Sequence, residues 1–266
     1  NSRGRQLLVS VFSVRAVTRS MDRSRIPDQV LVAGASGETG QELLSVLRPT
    51  ELSVRATTRS YANVDMLERH GADDVIVADF FESADAVAAV DDCDIIYCAV
   101  GTPPGVGHTI GTRLVDRTGV INLITAAVGA GVSYFVLESA IGVGTSKAGL
   151  SLPARLLIRG TLSAKHDAET ALRRSGLDYT IVRPGRLTND PPSGAVVVNE
   201  GGGSFSGSIP RADVAQVMAA SPFTPDARNR TLEIVSRDGL TSEPPNPVDI
   251  DWADDRLTAG REHRRL

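Results

Sequence analysis

Short apolar runs alternate with longer amphipathic segments over most of the chain. The apolar runs contain few polar interruptions, which is typical of strands buried on both faces of a parallel sheet. In the first half they predict five strands, over residues 30–33, 53–57, 74–78, 94–100 and 134–137. The segments between them suit crossover helices, so the pattern predicts repeated strand–helix units in a doubly wound parallel sheet.

Helical periodicity supports this reading over residues 116–130, where apolar side chains recur at helical spacing and Gly131 follows as a C-terminal cap. The second half continues without a linker. It predicts helices over residues 163–174 and 213–220, and strands over residues 179–182, stopped by Pro184, and 232–235. The fold class expected is therefore α/β, a Rossmann-type doubly wound parallel sheet in a single domain with a small C-terminal extension on the substrate side.

A glycine-rich turn follows the first strand. Gly34 permits a tight turn, Gly37 lets backbone N–H groups approach a pyrophosphate, and Gly40 lets the next helix pack closely on the strand. The helix N-terminus then directs its partial positive charge at the phosphates. Together with the intervening Ser36, Glu38 and Thr39, these glycines form a predicted dinucleotide-binding turn.

Arg59 lies 19 residues beyond Gly40, at the end of the second predicted strand. An acidic residue there would bind the ribose hydroxyls of NAD, whereas an arginine favours the 2′-phosphate of NADP. We therefore expect NADP(H) to be preferred over NAD(H). Arg55 is a second candidate for this contact, and the alternative for Arg59 is a solvated surface arginine.

Composition narrows the range of partners. The chain has 266 residues and a formal net charge of −4, and it lacks a basic stripe, so a nucleic-acid partner is not indicated. No stretch approaches the roughly 18 apolar residues of a membrane span, and the four histidines lack metal-ligand spacing. Cys93 and Cys98 lie in or beside a buried strand and are expected to be free thiols. The sequence thus predicts a cytoplasmic protein that acts on a small-molecule substrate or acceptor, with its oligomeric state open.

The two ends of the chain differ from the middle. Residues 1–27 are basic and irregular and are predicted to be a flexible extension, or the product of a start codon placed too early, because Met21 offers a natural beginning. Residues 28–240 form the predicted NAD(P)-binding domain. Residues 241–266 are acidic and contain several prolines, so a disordered or loosely docked tail is expected, with Trp252 as a possible anchor.

Four segments together resemble the atypical short-chain dehydrogenase/reductase superfamily, in the branch with NmrA-like and biliverdin-reductase-B-like members. They are the glycine turn at 34–40 and residues 135–142 (FVLESAIG), 164–169 (AKHDAE) and 175–185 (SGLDYTIVRPG). A fifth match, residues 209–215 (IPRADVA), is similar to the segment that opens a late helix in this group. The resemblance covers about residues 30–235.

The resemblance implies roles for residues outside the glycine turn. Lys165 matches the lysine of the superfamily's Tyr-x-x-x-Lys pair, which holds the nicotinamide ribose, but Thr161 occupies the tyrosine position. Ser139 corresponds to the catalytic serine. Other positions implied to line the cofactor cleft are Asp79 beside the adenine, Ala99, Val100 and Gly101 at the end of the fourth predicted strand, and Arg183 and Pro184 on the nicotinamide side.

Several of these positions also have a purely structural interpretation. Asp79 would be a helix N-cap, Lys165 an exposed helix lysine paired with Glu169, and Ser139 a strand-end turn residue. Pro184 alone would explain why its strand stops.

Three functions are compatible with these features. The first is an NADPH-dependent oxidoreductase that passes hydride to a flavin-like or other conjugated acceptor, because a threonine hydroxyl is too weak an acid to replace the tyrosine. The second is a protein that senses NADP without turnover, as NmrA-like regulators do. The third is a sugar-nucleotide epimerase or dehydratase, which the missing tyrosine disfavours.

Overall fold

The computed structural model describes residues 27–102, 114–144, 152–201 and 204–252. Its centre is a nine-stranded sheet in the order β11-β8-β10-β6-β5-β4-β1-β2-β3. The strands are β1 (Gln29–Ala33), β2 (Ser53–Thr58), β3 (Asp74–Val77), β4 (Ile95–Cys98), β5 (Tyr134–Glu138), β6 (Asp178–Pro184), β8 (Val196–Asn199), β10 (Arg230–Ser236) and β11 (Pro247–Val248). All pairs are parallel except those made by β8, which runs antiparallel to both β10 and β11.

Six α-helices connect the strands in the part of the chain that the structure describes. They are α1 (Glu38–Leu47), α2 (Val64–His70), α3 (Ser83–Val90), α4 (Thr118–Ala130), α5 (Leu152–Arg174) and α6 (Arg211–Ala220). A separate pair of short parallel strands, β7 (Arg186–Thr188) and β9 (Ser208–Pro210), leads into α6. The predicted Rossmann-type sheet in a single domain is confirmed.

Alternate residues of the central strands face two different hydrophobic layers. Val30 and Val32 of β1 belong to the layer that contains α1 and α6. Leu31 and Ala33 belong to the opposite layer, with α3, α4 and α5. Because both faces are covered, β1 and β4 carry apolar residues at successive positions on both faces, which is why they read as continuous apolar runs in the sequence.

Several predicted boundaries were wrong. Helix α5 begins at Leu152, eleven residues before the predicted start, and Pro184 is the last residue of β6 and pairs with Ile234. Helix α2 and the strands β7, β8, β9 and β11 were not predicted.

Cys93 and Cys98 are free and buried, as expected, and burial raises their pKa values to about 11 and about 12.

The described part of the C-terminal segment is docked, in agreement with the docked alternative and not with a disordered tail. Pro247 and Val248 form β11 on the edge of the sheet, and Ile250 is 7% exposed within the α1/α6 layer. Trp252 packs partly buried against the same layer, so it does anchor the segment on the body of the domain. Residues 253–266 and the predicted N-terminal extension, residues 1–26, lie outside the described residues.

Neither a membrane span nor a metal centre is found in the described ranges. No helix there has both the length and the hydrophobicity needed to cross a bilayer. The same residues contain no cluster of three or more potential metal-ligating side chains.

Docking of the C-terminal segment can be tested with Ile250→Ala. Because the side chain is buried, we expect the free energy of unfolding to fall by about 2 to 4 kcal/mol. Val87→Ala is the matched control, since Val87 is 59% exposed and should change stability by less than about 0.5 kcal/mol. Urea unfolding of both variants gives the comparison, and equal small effects would contradict the docking of this segment.

Candidate functional site

The glycine turn between β1 and α1 has the close contacts that a dinucleotide-binding turn requires. Gly34 has a φ of +81°, and a Cβ there would lie 2.8 Å from the carbonyl oxygen of Ala99. A Cβ on Gly40 would lie 2.7 Å from the Cα of Ala35, so the helix packs on the turn only with glycine at this position. The sequence therefore meets a steric requirement at both positions.

The N-terminus of α1 is open toward the carboxyl edge of the sheet. Gly37 is the N-cap residue, and no side chain caps the helix. Within the described residues, the backbone N–H groups of Glu38, Thr39 and Gly40 have no acceptor, whereas Gln41 N–H donates to Gly37. A Cβ on Gly37 would come within 3.3 Å of the carbonyl of Gly34, so the glycine keeps this cradle free. Free N–H groups, a helix N-terminus and an unobstructed approach fit a pyrophosphate.

The polar residues of the turn are tied to distant parts of the chain. The Thr39 hydroxyl donates to Glu138 Oε1 at 3.1 Å, and Thr39 is buried. Glu38 is exposed and pairs with Arg211 at 2.9 Å. The backbone carbonyl of Ser36 accepts a hydrogen bond from Gln41. Thr39 and Glu38 thus connect the turn to the end of β5 and to the start of α6.

Arg59 and Arg55 occupy different environments. Arg59 is exposed just after β2 and makes no ion pair or hydrogen bond with any described residue. Arg55 donates to Asp74 at 2.8 Å and to the carbonyl of Asp91 at 2.7 Å. Arg55 is therefore not free to bind a phosphate, which corrects its status as a second candidate, whereas Arg59 remains available.

Asp79 does not cap helix α3. Its carboxylate accepts a hydrogen bond from the N–H of Phe81 at 3.1 Å, and the N-cap residue of α3 is Glu82. The N-cap interpretation is therefore wrong, and a place beside the adenine stays a prediction. The other predicted edge residues directly follow β4: the N–H of Ala99 donates to the carbonyl of Ala33, next to Gly34, and Val100 and Gly101 continue along the edge.

Lys165 is fixed by a carboxylate that sequence reasoning missed. Its ammonium lies 3.2 Å from Asp116 Oδ1, and it donates to the carbonyl of Glu138 at 3.4 Å. Asp116 is 1% exposed, and its other oxygen accepts hydrogen bonds from the backbone and the hydroxyl of Thr102. The interpretation of Lys165 as an exposed helix lysine paired with Glu169 is therefore wrong. The side chain is 18% exposed and is held near the ends of β4 and β5.

Glu169 instead forms a buried ion pair with Arg183. Arg183 Nε and Nη2 donate to the two oxygens of Glu169 at 2.9 and 2.6 Å. Arg173 adds a contact at 2.9 Å, and the Ser139 hydroxyl donates to Glu169 at 2.6 Å. Burial would raise the pKa of Glu169, but the hydrogen bonds and charge of Arg183, with Ser139 and Arg173, hold it below its ordinary value.

Two predicted site residues, Ser139 and Arg183, have their side chains engaged in this hydrogen-bond network. The Ser139 hydroxyl proton is directed at Glu169, and Arg183 is 7% exposed. The carbonyl of Pro184 accepts from the N–H of Ile141 at 3.0 Å, which holds the segment after β5 against β6. The roles of Ser139 in catalysis and of Arg183 and Pro184 in cofactor binding stay predictions, while their observed contacts are structural.

Glu138 is a second buried carboxylate, with the opposite pKa shift. It is the last residue of β5 and is 8% exposed. Burial raises its pKa, and the charge of Lys165 and the hydrogen bond from Thr39 offset this only in part.

No tyrosine replaces the one that is absent at position 161. All four tyrosines lie in the described ranges. Tyr97 is buried and donates to the carbonyl of Ala219, and Tyr134 is hydrogen-bonded to Thr180. Tyr61 follows β2 and Tyr179 lies near the start of β6. None of them shares the cluster formed by Lys165, Asp116 and Glu138.

Fold and site together define a Rossmann-type protein whose first glycine turn has a geometry that fits a pyrophosphate. A family model described as NAD(P)H-binding matches residues 34–225, and the chain belongs to this family. The expected relation to the atypical short-chain dehydrogenase/reductase group is confirmed.

Proteins with similar sequences have names that point to different functions and locations. The chain is 37% identical to a chloroplast protein of Arabidopsis thaliana, At2g34460, over 79% of this chain and 77% of that protein. It is 32% identical to YhfK of Bacillus subtilis, named as a sugar epimerase, over 81% of this chain and 97% of that protein. It also matches TIC 62 of Pisum sativum, a chloroplast protein, at 29% identity over 87% of this chain but 48% of that protein. With chloroplast proteins among the relatives, a cytoplasmic location stays a prediction.

Solved structures are similar over most of the chain. An NAD-dependent epimerase/dehydratase by name, from Bacillus halodurans, has a TM-score of 0.70 and 33% identity over 80% of this chain and 96% of that chain. ChuY of Escherichia coli O157:H7, named as an anaerobilin reductase, has a TM-score of 0.69 and 24% identity over 81% of this chain and 99% of that chain. The structure from Bacillus halodurans supports the family assignment, and the ChuY structure supports the fold.

The two buried glutamates should respond oppositely to pH. The pKa of Glu169 is lowered in the folded protein, so its ionised form stabilises the fold above the ordinary carboxyl range, and this is lost as the pH falls through the folded pKa. Glu169→Gln should therefore lose most stability near neutral pH and progressively less on acidification.

The pKa of Glu138 is raised, so its ionisation costs stability as the pH rises through and above the ordinary carboxyl range. Relative to the wild type, Glu138→Gln should gain stability between acidic and neutral pH. Urea unfolding at several pH values measures both differences. Parallel pH profiles for the two variants would contradict the assigned environments.

Proposed function

We propose that this protein is an NADP(H)-dependent oxidoreductase that passes hydride to a conjugated or flavin-like acceptor without a tyrosine acid. The observation that carries the proposal is the fixed Lys165 beside the cradle, in a site where position 161 is threonine and the buried tyrosines Tyr97 and Tyr134 have other partners. When bound, the nicotinamide supplies the hydride, and the protein supplies binding and orientation.

Different residues near the cradle are suited to bind different parts of the cofactor. The N–H groups at the start of α1 are suited to the pyrophosphate, and Arg59 to a 2′-phosphate. Lys165, fixed by Asp116, is suited to hold the nicotinamide ribose by hydrogen bonds. Thr161 is not suited to donate a proton near neutral pH, so the acceptor takes its proton from water.

The shape of the surface beside α5 is consistent with a large acceptor. An open depression of about 730 Å³ lies there, between α5, the residues that follow β8 and the start of β10. Gly144, His166 and Arg183 line one part of it, and His166 is the neighbour of Lys165 in the sequence. The name of the ChuY structure supports this acceptor class by analogy of fold alone.

A second function, NADP sensing without turnover, is favoured by one observation. The hydroxyl of Ser139, the residue implied in catalysis, is committed to Glu169 and is thus engaged in a structural contact. An epimerase or dehydratase, which two of the relatives' names suggest, remains disfavoured because Thr161 cannot act as the usual tyrosine acid.

An assay of NADPH turnover distinguishes an oxidoreductase from a protein that only senses NADP. Oxidation of NADPH should be followed by absorbance with riboflavin, FMN and a quinone as acceptors. Thr161→Ala should change the rate little, because its hydroxyl has no acid role. Lys165→Ala should raise the KM for NADPH, since it removes a contact that positions the cofactor. Loss of turnover in Thr161→Ala with NADPH binding intact would refute the proposal, and tight binding without turnover in the wild type would favour sensing.

Cofactor preference is tested separately at Arg59. Arg59→Ala should reduce the ratio of NADP to NAD affinity by roughly 10- to 150-fold, because a charge-assisted hydrogen bond contributes about 1.5 to 3 kcal/mol. Arg69→Ala is the matched control, since Arg69 is also exposed but lies on α2. Calorimetric titration of both cofactors gives the ratios. An unchanged ratio in Arg59→Ala would show that the assignment is wrong.

A further inference from the structure

A negative charge stands at the entrance to the pyrophosphate cradle. Glu38 is the first residue of α1, and its side chain is 59% exposed. A carboxylate in the first turn interacts favourably with the helix dipole, but it repels a pyrophosphate bound at the same N-terminus. A binding site at this position therefore needs a cation that offsets Glu38.

That cation is Arg211, which comes from the second half of the chain. Its Nη2 lies 2.9 Å from Glu38 Oε2, and its Nη1 donates to Asn189 Oδ1 at 2.5 Å. Asn189 in turn donates to Glu38 Oε1 at 3.0 Å, so the three side chains contact one another. The guanidinium is thus held on two sides, and its Nε donates to no other described residue.

Arg211 also acts on the opposite side of the glycine turn. Its charge is among the influences that offset the effect of burial on Glu138, at the end of β5. Thr39, in the first turn of α1, is hydrogen-bonded to the same carboxylate. Arg211 therefore lies within electrostatic range of both carboxylates that border the cradle, one exposed and one buried.

The other cationic side chains near the cradle have other partners or lie elsewhere on its border. Lys165 is paired with buried Asp116, and Arg55 is paired with Asp74. Arg59 lies at the end of β2, where the 2′-phosphate is expected. Arg211 is 20% exposed and retains unused N–H donors, so it has both the access and the hydrogen-bonding capacity for a phosphate.

We propose that Arg211 is a ligand of the cofactor pyrophosphate, held in place by Glu38 and Asn189. The start of α6 then contributes to dinucleotide binding, in addition to the glycine turn. Because NADPH and NADH share the pyrophosphate, Arg211 should increase affinity for both without distinguishing between them, in contrast to Arg59.

Calorimetric titration with NADPH, NADH, ADP and adenosine tests the proposal without any need for turnover. Arg211→Gln should weaken NADPH, NADH and ADP by at least about tenfold each, since a charge-assisted hydrogen bond is lost, and should leave adenosine unchanged. Arg228→Gln is the control, because Arg228 pairs with Asp178 at the start of β6. Equal affinities of Arg211→Gln and the wild type for ADP would overturn the proposal.

A double variant distinguishes direct binding from simple neutralisation of Glu38. If Arg211 only masks Glu38, then Glu38→Gln with Arg211→Gln should bind ADP as tightly as Glu38→Gln alone, and this result would also overturn the proposal. Direct binding predicts that the double variant remains about tenfold weaker than Glu38→Gln. Melting temperatures of all variants, measured without ligand, verify that the comparison is made between folded proteins.

Discussion

The bidentate ion pair between Glu169 and Arg183 is the interaction on which the geometry of the candidate site depends. It joins helix α5 to strand β6 in the interior, and the Ser139 hydroxyl links the same carboxylate to the end of β5. Buried charges are costly unless each is paired and hydrogen-bonded. Glu169 meets this condition with four donated contacts, so the helix has one favourable position on the sheet.

The position of Lys165 follows from that constraint. Lys165 lies one helical turn before Glu169 on the same face of α5, so fixing Glu169 directs the lysine toward the ends of β4 and β5. There it meets Asp116, which is itself held by Thr102. The ammonium is therefore located by two successive ion pairs, and each has a buried carboxylate. A lysine on a long helix anchored only at its C-terminal end would be far less precisely placed.

How much of this could be predicted depends on the range of the interactions. The glycine turn and the parallel strands were predicted because their signals are local: three glycines at fixed spacing and continuous apolar runs. The partners of Lys165 were not, because Asp116 is distant in sequence and resembles any acidic residue before a helix. The structural alternative for Lys165 paired it with Glu169, four residues away, yet Arg183 on the neighbouring strand is the partner of Glu169, since it offers a bidentate contact in the interior.

The edge strands were missed for a different physical reason. Strand β11 has two residues with a proline among them, so it lacks the apolar length that marks a central strand. Strand β8, with three consecutive valines, did carry a local strand signal, which the sequence reading did not use. The pairing of both strands depends on the neighbouring strand rather than on their own propensity, because β8 covers the open edge of β10 and β11 in turn covers the edge of β8. The prolines and acidic residues after position 241 indicated disorder by composition, but composition does not report that Ile250 and Trp252 have a hydrophobic layer to pack against.

The charge balance around Lys165 limits the chemistry that the proposed reductase could perform. In a site with a tyrosine, a nearby lysine lowers the pKa of the phenol, and that phenol protonates the oxygen of a reduced carbonyl. Here the charge of Lys165 is balanced by Asp116, and no phenol is within the cluster. An isolated ketone would have to develop an alkoxide with no acid beside it, whereas a conjugated acceptor spreads the same charge over many atoms and can take a proton from water. The arrangement of these residues therefore favours acceptors that need orientation more than acid catalysis.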